Sequence, residues 1–128
     1  MCCGYPDVVD NEDFPKASPD AYFRLAPPLN DAEIDAVSIE DAHRHNDLFL
    51  LEHFKNTTVI LGVIAIARSR VESAEEIAAR LKEALNHIDA KRLMVAPDCG
   101  LGMLNRETVL AKLENMVTAA KNLGPKNG

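Results

Sequence analysis

Two thiols and a carboxylate are the groups in this sequence whose chemistry best suits a metal ion. Glu40 directly follows a short apolar run, Cys99 lies just past another, and Cys2 belongs to a polar segment at the start of the chain. Zinc in proteins is bound by Cys, His and Asp or Glu in four-coordinate geometry. Cys2, Glu40 and Cys99 are therefore a candidate partial zinc site that lacks one protein ligand.

The spacing of these residues is not that of a zinc finger, so a structural role is also open. The chain has three cysteines, two of them adjacent, which suits a disulfide framework poorly and leaves free thiols or metal ligands. Most free cysteines are small buried hydrophobes. A single Glu at the end of a strand is usually a solvated or paired surface group. The residues alone leave both interpretations open.

The apolar runs that precede these residues predict a parallel α/β fold. From about Asp35 onward, short apolar runs alternate with amphipathic segments, which is typical of β/α units. The predicted strands are residues 36–39, 59–66 and 93–96. Because the carboxyl ends of parallel strands meet at one edge of a sheet, Glu40 and Cys99 should face one pocket. Cys2 would reach the same face if a strand preceded it.

Two helices are predicted between the strands. Ser73 and Glu76 form a capping box that begins the more strongly marked helix. Its apolar face is formed by Ile77, Leu81, Leu85 and Ile88. Residues 47–54 predict a shorter helix between the first two strands.

Two further helices are predicted at the ends of the chain. Ser18 and Pro19, as N-cap and first-turn residues, predict a helix over residues 20–26 that the following Pro-Pro pair stops or kinks. The last helix begins near Asn105 and ends at Gly124, a candidate left-handed cap before a proline. Its predicted inward residues are Val109, Leu113, Met116, Val117 and Ala120.

The number of strands predicts an incomplete barrel. Residues 1–16 are rich in Pro, Asp and Gly and predict a loop. A TIM (β/α)8 barrel needs eight β/α units over ~250 residues, and only three strands are predicted here. Three parallel strands would leave open edges where further strands belong. Residues 1–128 are therefore interpreted as the C-terminal portion of a TIM barrel whose N-terminal units are absent.

Composition excludes several functional classes. The 47% apolar and 27% charged content is that of an ordinary globular domain, which excludes a disordered chain. No run approaches the ~18 apolar residues of a membrane span, and no secretory signal is present, so a cytoplasmic protein is expected. The net charge of −6 and the scattered Lys and Arg argue against nucleic acid as a partner. Small molecules are the expected partners.

Four segments resemble the last third of cobalamin-independent methionine synthases and their shorter homologues. They are VSIE (37–40), VESAEEIAARLKEAL (71–85), APDCGLGML (96–104) and ENMVTAAKNL (114–123). In that family, zinc is held by a His-Met-Cys stretch, a strand-end Glu and the Cys of an Asn-Pro-Asp-Cys-Gly motif. The resemblance implies that Cys2, Glu40 and Cys99 are zinc ligands. The family's His would fall immediately before Met1, which is expected if the chain is a piece of a longer protein.

The resemblance also implies a reaction. Zinc would bind a thiol, most simply homocysteine, as a thiolate that attacks the methyl group of a donor such as methyltetrahydrofolate and gives methionine. However, Ala65 and Ala67 stand where methionine synthases proper carry an Asp and a His, and Ala96 replaces the usual Asn. These departures favour short divergent homologues. The resemblance to such homologues leaves open another methyl donor or another thiol, as in epoxyalkane:coenzyme M transferases.

Four other polar residues have open roles. Arg68 could hold an anionic group of the substrate or could simply be solvated, and Asp98 could orient a ligand. His43 and His45 could contact a metal, although solvated histidines on a polar loop are the commoner case.

Two alternatives to a zinc methyltransferase stay open. A uroporphyrinogen decarboxylase-like barrel would share the fold without needing a metal. An inactive truncated fragment would lack the loops that complete the substrate pockets. We expect the chain alone to be inactive, with the missing N-terminal half of the barrel as a partner.

Overall fold

The computed structural model describes residues 1–124 as a three-stranded parallel sheet packed with helices. In chain order the elements are α1 (Asp20–Asp31), β1 (Ala36–Ile39), a 3-10 helix (Leu48–His53), β2 (Thr58–Ile64), α2 (Ala74–Ala84), a second 3-10 helix (Ala90–Arg92), β3 (Leu93–Pro97) and α3 (Arg106–Leu123). The strand order is β1-β2-β3, and both pairings are parallel. The predicted parallel α/β class is confirmed.

Strand β2 is the centre of the core. Val59, Leu61 and Ile64 are each at most 1% exposed. Val59 lies beside Val37 of β1 and Leu93 of β3. Helix α2 packs against α3, and α1 packs against the first 3-10 helix. A strand that is apolar along its whole length is typical of a parallel sheet covered on both faces.

Strand β2 ends at Ile64, two residues before the predicted boundary. Beyond this point the backbone N–H groups donate to side chains and no longer to a neighbouring strand. The N–H of Ala65 donates to Glu72 Oε1 at 2.9 Å. The N–H groups of Ile66 and Ala67 both donate to His43 Nε2, at 3.0 and 3.1 Å. Two side chains therefore bind all three N–H groups of the backbone that leaves the sheet here, one from the same connection and one from the loop after β1.

Helix α1 does not stop at its two prolines, and the prediction that it would was wrong. It continues through both prolines to Asp31. The Pro28 carbonyl accepts the N–H of Ala32 at 3.1 Å, and Asn30 Oδ1 accepts backbone N–H groups from residues 55 and 56. These bonds hold the last turn in place although the prolines lack N–H donors.

The N-terminal caps were predicted with mixed success. The capping box of α2 is present: the Glu76 N–H donates to Ser73 Oγ at 3.1 Å, and the Ser73 N–H donates to Glu76 Oε2 at 2.9 Å. At α1 the cap position is Pro19 and not Ser18. Ser18 still contributes, because its Oγ accepts the N–H of Asp20 at 3.3 Å.

The remaining elements stay close to their predicted positions. Strand β1 spans the predicted residues, and β3 extends one residue further, to Pro97. The segment 47–54 forms the tighter 3-10 type of helix, in which Asp47 Oδ1 accepts the N–H of Phe49 at 3.0 Å. Residues 1–19 contain neither helix nor strand, in agreement with the predicted opening loop.

Helix α3 differs from its prediction in its cap and in its buried face. Gly124 has φ −66° and donates its N–H to the Ala120 carbonyl at 2.9 Å, so it is not a left-handed cap; Pro125 lies outside the described residues. Val117 was predicted to face inward but is 44% exposed, whereas Lys112 is fully buried. Within residues 1–124, no helix is both long and apolar enough to cross a membrane.

Candidate thiol and metal site at the carboxyl edge of the sheet

The three strands bring the predicted site residues to one edge of the sheet. Glu40 follows β1, and Cys99 follows β3. Cys2 arrives from the N-terminal loop, which lies against β1 because the Met1 nitrogen donates to the Ser38 carbonyl. The opening loop therefore reaches the edge predicted for Glu40 and Cys99.

Asp98 ties the end of β3 to the loop that follows β1. Its Oδ1 accepts the N–H groups of Asp41 and Ala42, both at 3.0 Å, and its Oδ2 accepts the N–H of His43 at 2.9 Å. Burial raises the pKa of this carboxyl, while the three N–H donors act in the opposite direction. Both oxygens face backbone donors, so Asp98 positions the loop next to Glu40.

Arg80 of α2 holds the same loop from the outside. Its Nε donates to Asp41 Oδ2 at 2.6 Å, and its Nη2 donates to Asp41 Oδ1 at 2.9 Å, a bidentate pair. Nη2 also donates to the Asn46 carbonyl at 2.8 Å. Asp41 is 1% exposed and accepts the N–H of Asn46 as well, at 2.7 Å. This anchor was not recognised from the sequence, because two residues 39 apart form it.

Glu40 is a buried carboxylate paired with a lysine. It is 2% exposed, and its Oε2 lies 2.9 Å from Lys16 Nζ. Its Oε1 accepts the N–H of Cys3. Lys16 Nζ also donates to the Gly4 carbonyl. The opening loop therefore supplies two donors, one of them charged, to the carboxylate that the sequence predicted as a metal ligand.

Two thiols and a phenol lie near Glu40 at this edge. Partial burial is the largest cause that raises the pKa of the Cys2 thiol, and the nearby Cys99 and Glu40 raise it further. A hydrogen bond with Cys99 is the largest cause that raises the pKa of Tyr5, to about 12. Cys2 Sγ also accepts the N–H of Gly4 at 3.2 Å. The structure thus brings Cys2 and Cys99 together, and adds a tyrosine that the sequence had not indicated.

The donor set suits zinc chemically, although its members are not grouped around one point. Within residues 1–124, no three His, Cys, Asp or Glu side chains are arranged as a metal site. Thiolate sulfur and carboxylate oxygen are nevertheless ordinary zinc ligands. Cys2, Cys99 and Glu40 are the residues of this edge that could hold the ion.

His43 is a structural acceptor and not the solvated histidine that was expected. Its Nε2 accepts two backbone N–H groups at the end of β2, and its ring stacks on Tyr5 with centroids 6.2 Å apart. Burial is the largest cause that lowers the pKa of His43, and the positive charges of Arg68 and Lys16 lower it further. The imidazole is therefore held in its neutral form, as an acceptor.

This arrangement predicts a pH dependence. Since the pKa of His43 is lowered in the folded state, the unfolded chain binds a proton first, and stability should be lost as the pH falls below the ordinary histidine value of about 6.5. His43→Gln should reduce that loss, and His45→Gln, at an exposed position, should not. Urea unfolding at about pH 7.5 and about pH 5.5 measures both. An identical pH dependence in wild type and His43→Gln would contradict the assignment.

Arg68 lies at this edge but is already engaged. Its Nε and Nη2 donate to Glu12, at 2.7 and 2.9 Å, and its Nη1 and Nη2 donate to the carbonyls of Ala42 and His43, at 3.3 and 3.1 Å. It also lines a cavity of about 250 Å³ together with Arg70, Arg80 and His45, among others. Arg68 thus connects the opening loop to the loop after β1.

Residues 20–122 match the family described as the catalytic domain of cobalamin-independent synthases, and the chain belongs to that family. It is 35% identical over 97 residues to a methionine synthase of Thermococcus kodakarensis. That match covers 75% of this chain and 29% of the Thermococcus protein. It is 44% identical over 99 residues to a 5-methyltetrahydropteroyltriglutamate--homocysteine methyltransferase of Mycobacterium tuberculosis. That match covers 74% of this chain and 13% of the Mycobacterium protein.

A solved structure supports the same family. The chain is similar to a B12-independent methionine synthase from Shewanella sp. W3-18-1, in complex with selenomethionine, at a TM-score of 0.76 and 31% identity; the match covers 80% of this chain and 30% of that one. The family predicted from the sequence is confirmed, and the uroporphyrinogen decarboxylase-like alternative is not favoured. The chain spans about 30% of the length of the first curated relatives it matches.

Proposed function

We propose that this chain contributes the metal-binding part of a zinc-dependent methyltransferase that acts on a thiol, most simply homocysteine. The observation that carries the proposal is that the Cys2 thiol lies near both Cys99 and the buried carboxylate of Glu40, since both raise its pKa. Membership of the cobalamin-independent synthase family supports it. Bound zinc would supply Lewis acidity that keeps an incoming thiol as a thiolate at neutral pH.

The residues of this chain have distinct parts in the proposal. Cys2, Cys99 and Glu40 hold the metal. Asp98 fixes the backbone that follows Glu40, because its two oxygens accept three N–H groups there. The Tyr5 hydroxyl, whose pKa is raised to about 12 beside Cys99, keeps its proton at neutral pH.

The strand end at Ala65 and Ala67 favours a methyl donor other than methyltetrahydrofolate as a second candidate. Both residues are 1% exposed, and their N–H groups are bound by Glu72 and His43. This stretch therefore offers neither a proton donor nor a polar side chain to a donor molecule. A different thiol, as in coenzyme M transferases, fits the same observation.

We further propose that other β/α units complete a barrel around this sheet. Among the described residues, β1 and β3 each pair on one side only. An apolar groove of about 370 Å³ runs along β3, and Met94 in it is 56% exposed. The groove is lined by Leu81, Leu85, Ala90, Leu93, Met94, Val95, Ala120, Leu123 and Gly124. Open edges and exposed apolar surface are what neighbouring strands and helices cover in a parallel barrel.

Zinc titration against a chromophoric chelator tests the proposal. The wild-type chain should bind one zinc, and Cys99→Ser should weaken binding by more than about 100-fold, since even residues behind the ligands contribute about 10- to 100-fold. Cys3→Ala is the matched control, because Cys3 is a buried core residue whose loss should leave zinc binding intact. Equal affinity in Cys99→Ser and wild type would contradict the site. Methyl transfer by the 128-residue chain alone would contradict the need for further barrel units.

A further inference from the structure

Lys16 forms an ion pair with Glu40, the carboxylate that is a metal ligand in the proposed function. Its Nζ lies 2.9 Å from Glu40 Oε2, and the lysine and glutamate side chains are 14% and 2% exposed. Lysines are among the residues least often buried, and buried ones need a partner. Here the ammonium has two, the Glu40 carboxylate and the Gly4 carbonyl.

The backbone around Lys16 is anchored, so the ammonium is directed at Glu40. The Ala17 N–H donates to the Cys3 carbonyl at 3.0 Å, and Arg44 Nη2 donates to the Ala17 carbonyl at 2.7 Å. Near the other end of the same loop, the Tyr22 hydroxyl donates to the Met1 carbonyl at 3.1 Å. These bonds span the segment that also carries Cys2. The lysine and a thiol of the proposed site therefore belong to one ordered loop.

An ammonium and a divalent cation compete for the same carboxylate. Both are stabilised by the negative charge of Glu40, and each repels the other at short range in a poorly solvated site. His43 adds no positive charge, because its Nε2 accepts two backbone N–H groups. The ammonium of Lys16 is the positive charge in contact with the Glu40 carboxylate, and a metal that binds this carboxylate would have to replace it.

We propose that Lys16 is a displaceable counter-ion of Glu40. It neutralises the buried carboxylate while no metal is bound, leaves when zinc coordinates Glu40, and thereby weakens zinc binding and keeps it reversible. This inference rests on the proposed zinc site. It differs from a role in which Lys16 stays beside Glu40 and orients it, since that role predicts weaker zinc binding when the lysine is removed.

Variants at Lys16 separate these roles by zinc affinity, measured by chelator competition on the full 128-residue chain. Lys16→Gln should bind zinc more tightly than wild type, by about 10-fold or more, because zinc no longer has to replace a positive charge at the Glu40 carboxylate. Lys16→Arg keeps the charge and should bind like wild type. Lys82→Gln, at an exposed position of α2, is the matched control and should not change the affinity.

Each result has a defined meaning. Unchanged or weaker zinc binding in Lys16→Gln, with zinc still bound by wild type, would overturn the counter-ion role alone. A wild-type chain that binds no zinc through Cys99 would overturn the proposed function, and this inference with it.

Amine labelling of the wild-type chain covers the case in which Lys16→Gln fails to fold. A half-buried, ion-paired lysine reacts slowly with acylating reagents, so zinc should increase the acylation of Lys16 several-fold as read by mass spectrometry. Lys82 should react equally with and without zinc. In Cys99→Ser, zinc should no longer change the labelling. Zinc that binds through Cys99 and leaves Lys16 protected would overturn the proposal.

Discussion

Replacing Lys112 by Met should lower the free energy of unfolding by about 3–5 kcal/mol, the loss typical when one partner of a buried ion pair is removed. Lys112 of α3 is fully buried, and its Nζ donates to Glu72 Oε2 at 2.9 Å. It also donates to the carbonyls of Ala65 and Arg70, at 3.1 and 2.6 Å. Methionine fills a similar volume but leaves a carboxylate and two carbonyls without a donor.

Chemical denaturation of Lys112→Met beside Lys121→Met measures this loss. Lys121 is exposed in the last turn of the same helix, so its replacement should change stability by less than about 0.5 kcal/mol. The double variant Lys112→Met with Glu72→Gln should recover part of the loss, because the two residues are coupled. A Lys112→Met chain within about 1 kcal/mol of wild type would show that the three bonds to Nζ are not formed.

Replacing Gly62 by Ala should destabilise the chain by about 3 kcal/mol, at the upper end of the usual range for overpacking. A Cβ at this position of β2 would overlap the Asp98 carboxylate and lie 2.9 Å from the Asp98 Cα. Asp98 would have to move, and the N–H groups of residues 41–43 would lose their acceptor. Because that backbone follows Glu40, zinc affinity should fall together with stability.

Gly102→Ala is the matched control for this variant. A Cβ at Gly102 meets nothing within 4 Å, and the residue is exposed. Denaturant unfolding and zinc titration of both variants therefore compare the same chemical change with and without the overlap. If Gly62→Ala matches Gly102→Ala in both measurements, the close approach of β2 to Asp98 does not position the site.

The local patterns of the sequence predicted the strands and the edge of the sheet at which the candidate residues lie. Continuous apolar runs mark strands of a parallel sheet, and such strands place whatever follows them at one edge. Glu40 and Cys99 could therefore be predicted to lie at one edge, because Glu40 directly follows β1 and Cys99 lies two residues past the end of β3. The capping box at Ser73 and Glu76 was equally predictable, since both partners lie within one helical turn.

The same patterns could not predict where the long polar side chains make their contacts. Lys112 interrupts the apolar face predicted for α3, and its burial depends on a carbonyl 47 residues away. Lys16 meets Glu40 across 24 residues, and His43 accepts N–H groups from a strand end 23 and 24 residues away. Nothing in the neighbouring sequence marks any of these as buried. The prolines of α1 likewise predicted a stop that packing and side-chain bonds override.

The sequence by itself determined the parallel α/β class and the family, and it predicted two thiols and a carboxylate as the reactive groups of this chain. These follow from short-range periodicity and from motifs that lie within a few residues. Only the tertiary structure decided how the carboxylate is neutralised, which residue holds its loop, and which lysine lies in the core. Those outcomes depend on partners distant in the chain, because a buried charge is stable only where the fold brings a counter-charge or a donor to it.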